Sequence, residues 1–143
     1  MPRRLRSRAA LLSTRRGGAM MLNLVVVIGG LARESQVRQL PSGLSLVNFD
    51  LLVARPDHAP ETVPIALFDA PQRAPGWSAG QEMVVVGRVR RRFFRVSGAT
   101  QSRTEVVADQ VLPVGQKDGV RLALASASSR LDGAAQELAE SWS

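Results

Sequence analysis

The sequence predicts an all-β protein, a small barrel or sandwich of five strands followed by a C-terminal tail. Three observations carry this. Five runs of β-forming residues lie between residues 22 and 114, each closed by a Pro-, Gly-, Asn- or Asp-containing turn. No helical periodicity of any length interrupts them before residue 115. The chain has 143 residues and is 45% hydrophobic, enough for one core and too short for two.

The elements follow in order. Residues 22–31 (LNLVVVIGGL) are a run of Val and Ile ending in Gly29-Gly30, which suits a buried strand with a bend. Pro41-Ser42-Gly43 is a turn signal. In residues 46–54, Val47, Phe49, Leu51 and Val53 share one face, while Asn48 and Asp50 fall on the other. Residues 55–60 read as a loop, and residues 62–69 as a short strand with Val63, Ile65 and Leu67 on one face. Pro64 places that strand at an edge or a bulge. Residues 70–80 hold Pro71, Pro75, Gly76 and Gly80 and allow one helical turn at most. Residues 83–96 form the fourth strand, residues 97–100 a four-residue hairpin turn, and residues 101–114 the return strand. In the tail, residues 115–143, the near-helical spacing of Leu131, Ala135, Leu138 and Trp142 predicts a short helix.

Charge is unevenly placed. Lys plus Arg number 19 against 12 Asp plus Glu, a net +7, and all but Lys117 are Arg. Residues 1–20 hold six Arg and no acid, so the rest of the chain is near neutral. This basic segment reads as a disordered arm with weak nucleic-acid affinity, a stretch upstream of a natural start at Met20 or Met21, a targeting peptide, or a twin-Arg export signal in which Arg15-Arg16 precede an apolar run. The apolar run that follows, at about 14 residues, is too short to span a bilayer. With no Cys, no Tyr and one His, His58, thiolate and His-rich metal sites and Cys nucleophiles are excluded. No Asp or Glu pair has catalytic spacing and there is no phosphate-cradling Gly loop, so no enzyme, no cofactor and no metal are expected.

The constellation with chemical meaning is in the fourth strand. Residues 88–103 contain Arg88, Arg90, Arg91, Arg92, Arg95 and Arg103 with no acid. Alternation puts Arg88, Arg90, Arg92 and Phe94 on one face, with Arg91, Phe93 and Arg95 on the other. Arg residues two apart lie about 7 Å apart along a strand, near the phosphate spacing of an extended single strand. Arg clamps phosphate and its plane stacks on bases, and a neighbouring ring is a stacking platform. An unpaired row of like charges favours a polyanion nearby. The same row also reads as a solvated, charge-protected hairpin.

These residues resemble the bacterial single-stranded DNA-binding protein family, an OB-fold group, from about residue 22 to residue 114. The opening strand with Gly29 (LVVVIGGLARE), the Pro41-Ser42-Gly43 turn, LVNFDLLVAR, Leu67-Phe68, Gly80 and Gly87 occur in the family's order. GRVRRRFF is similar to the family's Gly-x-Leu-Arg-x-Arg-x-aromatic, and Thr104 to Asp109 (TEVVAD) to its return strand. The likeness is nearest to short actinobacterial-type paralogues. It implies a five-stranded OB-fold barrel at 21–114 with a long hairpin between the last two strands. It also implies sequence-independent binding of single-stranded DNA in replication, repair or recombination, as a cytoplasmic, nucleoid-associated homotetramer and without a membrane. Phe94 and Phe68 fall at stacking positions, Arg88, Arg90 and Arg92 on the strand leading to Phe94, and Arg38 and Arg55 along the DNA path. The alternative is an OB-fold protein–protein module of the replication machinery with little DNA affinity.

Departures from the family pattern matter. Thr62 stands where some members stack an aromatic, and the shortened 55–60 loop removes another position. With two stacks in place of four, binding is expected to be weaker and more salt-sensitive than the family norm. The acidic tail tip with Pro-Phe is absent, which argues against tail-mediated protein recruitment. Phe49 is expected in the core, Trp77 at a barrel end, and His58 on the surface.

Overall fold

The computed structural model describes Arg15–Arg16, residues 19–69 and residues 76–143. The elements are β1 (Arg15–Arg16), β2 (Ala19–Met20), β3 (Val25–Leu31), β4 (Gln36–Gln39), β5 (Ser45–Arg55), β6 (His58–Phe68), β7 (Glu82–Val96), β8 (Ala99–Pro113) and α1 (Lys117–Ser141). β1 and β2 form a separate antiparallel pair. Expectations for the rest of residues 1–20 and for Pro71 and Pro75 lie outside the described residues.

Five strands close a mixed barrel in the order β3-β7-β8-β6-β5, and β5 returns to β3 through Gly30 opposite Leu52 and Leu31 opposite Leu51. The expected five-stranded OB-type barrel is therefore present. Only β6 and β8 run parallel, paired at Ile65–Val106 and Ala66–Val107. Closure depends on Gly29, where a Cβ would lie 2.5 Å from the Leu52 carbonyl oxygen. Pro64 precedes the β8 pairing, so its missing N–H falls where β6 has only β5 beside it. Inside the barrel, Leu31, Val47, Phe49, Leu51, Met83 and Val85 pack with Ile65 and Val106. Phe49 lies in the core as expected, and Trp77 packs against that core, meeting Phe49 edge to face at 5.8 Å.

The structure corrects several details. The sequence reading missed β4, an exposed four-residue strand paired to β5. The expected loop at residues 55–60 narrows to a turn at Pro56-Asp57: Arg55 lies opposite His58, Asp57 has φ 59°, and β6 begins at His58 and runs 11 residues. The β7–β8 turn is Ser97-Gly98, two residues rather than four. Their φ values of 51° and 82° match the primed turn that strand twist favours.

The C-terminal helix is present but spans 25 residues. Its buried side is Ala123, Ala127 and Ala134, whereas Leu131 and Trp142 are 52% and 76% exposed. Small side chains bring the helix against Val86, with Leu24 and Leu112 packed at the margin. This explains why β7 is buried on both faces from Met83 to Val86. One face fills the barrel and the other lies under α1.

Candidate nucleic-acid interface

β7 begins in the barrel and ends outside it. Its pairing with β3 stops at Val25–Gly87, and that of β8 with β6 stops at Ile65–Val106. Past these points β7 and β8 have only each other, from Arg90–Glu105 to Val96–Ala99. Seven residues a side make a finger about 24 Å long. Asn23 marks the exit. Its Oδ1 accepts from the Val89 N–H at 3.0 Å and its Nδ2 donates to the Val89 carbonyl at 2.8 Å, extending the β3 ladder with a side chain. Gly87 is required just before it, because a Cβ there would lie 2.1 Å from the Val107 carbonyl oxygen.

The two finger faces separate as alternation predicts. Arg88, Arg90, Arg92 and Phe94 stand opposite Val107, Glu105, Arg103 and Gln101. This face continues onto the outer barrel surface, where Phe68 ends β6. The Arg90 guanidinium lies 5.3 Å from the Phe68 ring centroid, and that of Arg92 lies 5.3 Å from the Phe94 ring. The fold thus brings Phe68 to the Arg row.

The row is not an unpaired set of charges. Register places Glu105, 5% exposed, directly opposite Arg90, and its carboxylate takes an ion pair from Arg90 and a second from Arg92 at 3.6 Å. One carboxylate shared by two guanidiniums leaves the row net positive. Arg88 is exposed and makes no ion pair among the described residues. Arg90 Nε is buried with no acceptor among them.

Beside this row lies an open groove of about 280 Å³. Arg33, Arg38, Arg92 and Arg103 line it against Glu34 and Asp50, so it too carries excess positive charge. Arg103 reaches Asp50 at 3.8 Å across the gap between finger and barrel. Arg38, on the unforeseen strand β4, therefore shares a surface with Arg92. Arg55 does not line this groove. It sits at the far end of β5, paired with Glu61 at 2.7 Å. The partners of Asn23, Glu105, Asp50 and Arg103 are not legible in the sequence, because each acts through a residue distant in the chain.

Arginine over aromatic rings, excess positive charge along an extended groove and few carboxylates describe a surface for anionic, stackable ligands. No group of three His, Cys, Asp or Glu able to hold a metal occurs among the described residues, and no helix there is long and apolar enough to cross a membrane.

Residues 22–114 match the model of the single-strand binding protein family. A curated single-stranded DNA-binding protein of Oceanobacillus iheyensis is 33% identical over 100 residues, 64% of this chain; the chain spans 62% of that relative's length. A crystal structure of a deletion mutant of the single-stranded DNA-binding protein from Thermus aquaticus is similar with a TM-score of 0.56 at 21% identity. It covers 69% of this chain and 44% of that one, a likeness of fold. The family is one of non-enzymatic DNA-binding proteins. The matched segment coincides with the closed barrel and its projecting finger, and on that ground the chain belongs to the single-strand binding protein family.

Proposed function

We propose that this protein binds single-stranded DNA without sequence preference and covers it during replication, repair or recombination, as a cytoplasmic, nucleoid-associated homotetramer. Residues 21–114 are the binding domain, 1–20 a basic arm, and 115–143 a tail whose helix covers the outer face of β7. Phe68 and Phe94 stack on bases, Arg88, Arg90 and Arg92 meet phosphates, and Arg38 and Arg55 extend the path. The observation that carries this is the convergence of Phe68 with the Arg row, Arg90 lying 5.3 Å from its ring, beside a groove with four Arg and two acids. A guanidinium held over a ring can exchange that partner for a phosphate and leave the ring to a base.

One observation favours the alternative of a protein–protein module. Glu105 holds two of the three Arg residues from within the protein. Binding of a labelled oligothymidylate across a salt series decides between them. For DNA binding, Arg88→Ala flattens the log–log salt slope by about 0.7. Phe94→Ala weakens binding by about 1–3 kcal/mol with little change in slope. If both variants fold and bind as the parent does, the module reading replaces this one. Comparing single-stranded DNA, duplex and RNA with residues 1–20 present and removed locates the site. Loss of all binding with the arm would move it off the barrel.

A further inference from the structure

We propose that the opposite face of the β7–β8 finger, built on Arg91, Phe93 and Arg95, is a second contact surface for the same nucleic-acid strand. This rests on the single-stranded DNA-binding reading and extends it, for the strand then wraps the finger rather than lying on one side. Phe93 is 64% exposed, the most open of the rings on the finger. The Arg91 guanidinium lies 5.3 Å from its centroid, so the outward-facing ring already carries one cation and offers its other side to solvent.

The electrostatics of the two faces differ in a way that favours this one. Arg90 and Arg92 share Glu105, and Arg103 faces Asp50. On the opposite face, Arg91 donates to Ser102 Oγ at 3.1 Å and Arg95 to the Gly98 carbonyl at 2.7 Å, both neutral acceptors. Across the strands, Arg91, Phe93 and Arg95 stand opposite Thr104, Ser102 and Thr100. No carboxylate belongs to this face of the finger. It therefore combines two uncompensated guanidiniums, an exposed ring and a row of hydroxyls, the donors and stacking surface that phosphates and bases require. The finger is a ribbon two strands wide and one layer thick, so a strand leaving Phe94 reaches Phe93 by passing round one edge.

The test measures binding of short and long oligothymidylates, and the nucleotides occluded per chain at saturation on poly(dT), for the parent, the Arg91→Ala/Phe93→Ala variant and Phe94→Ala. The double variant is expected to occlude fewer nucleotides and to bind the long oligomer on the order of tenfold more weakly. The short oligomer, spanning one face, binds as before. Phe93→Trp is expected to keep long-oligomer affinity and to add fluorescence quenching on binding beyond that of Trp77 and Trp142. Parent-like affinity and occluded length in the double variant, while Phe94→Ala weakens binding, overturns this inference and leaves the DNA-binding reading intact. So does a fall in solution mass by light scattering that accounts for the loss, which would assign the face to a second copy of this chain. Failure of the parent to bind overturns both.

Discussion

Glu105 offers the sharpest test of whether the Arg row faces a ligand, because its removal drives stability and binding in opposite directions. In the Glu105→Gln variant the shape is kept and one negative charge is lost from beside Arg90 and Arg92, in the row that begins at Arg88. At 3.6 Å from Arg92, the lost attraction is about 4–5 kcal/mol at an effective dielectric of 20. Most of that is offset by the cost of holding a carboxylate that is 5% exposed. Arg90 and Arg92 keep 33% and 45% exposure, so water screens them, and the Gln carbonyl still accepts from Arg90. The expected net loss of stability is about 1–2 kcal/mol, read as a drop of several degrees in Tm. Meanwhile the local charge rises from net +2 to net +3. A guanidinium released to phosphate steepens the log–log salt slope by about 0.7 and tightens binding at low salt. Thermal melts and anisotropy titrations with oligothymidylate read both effects on one preparation. A folded variant whose affinity falls or whose slope is unchanged would refute the reasoning, since the row would then serve the fold alone.

Other outcomes follow from single contacts. Gly87→Ala forces a Cβ to 2.1 Å from the Val107 carbonyl and is expected to lower stability by several kcal/mol, seen as a shifted denaturant midpoint without a change in the Arg row itself. Ala127→Asp places a charge against Val86 and is expected to release α1, with loss of helical circular dichroism and dye binding to the uncovered face of β7. Arg38→Ala is expected to weaken DNA binding more than Arg55→Ala, because Arg38 lines the groove with Arg92 whereas Arg55 is engaged by Glu61 at the far turn; equal effects in titrations would place the strand along β5 instead.

Much of the barrel is legible in the sequence because alternation is a local property. Val47, Phe49 and Leu51 announce their shared face by spacing alone, and all three are buried in the core. The Arg row and Phe94 are legible for the same reason. Strand β4 was not, since Gln36–Gln39 is exposed throughout and bears no apolar pattern; only pairing with β5 makes it a strand. The helix is legible from its spacing, but its length and its buried side are not. Leu131 and Trp142 dominate a hydropathy reading, whereas close approach to a sheet selects Ala123 and Ala127.

By itself, the sequence determined which residues share a face, where the chain turns and that the finger carries arginine and phenylalanine on both sides. Tertiary structure decided which of those charges are compensated. Glu105 stands among TEVVAD with no sign in its neighbours that it will meet Arg90 and Arg92, and Phe68 gives none that it will lie beneath Arg90. Periodicity is written in neighbouring residues, whereas electrostatics depends on distance in space. The register of β8 against β7 and the closure of the barrel set that distance.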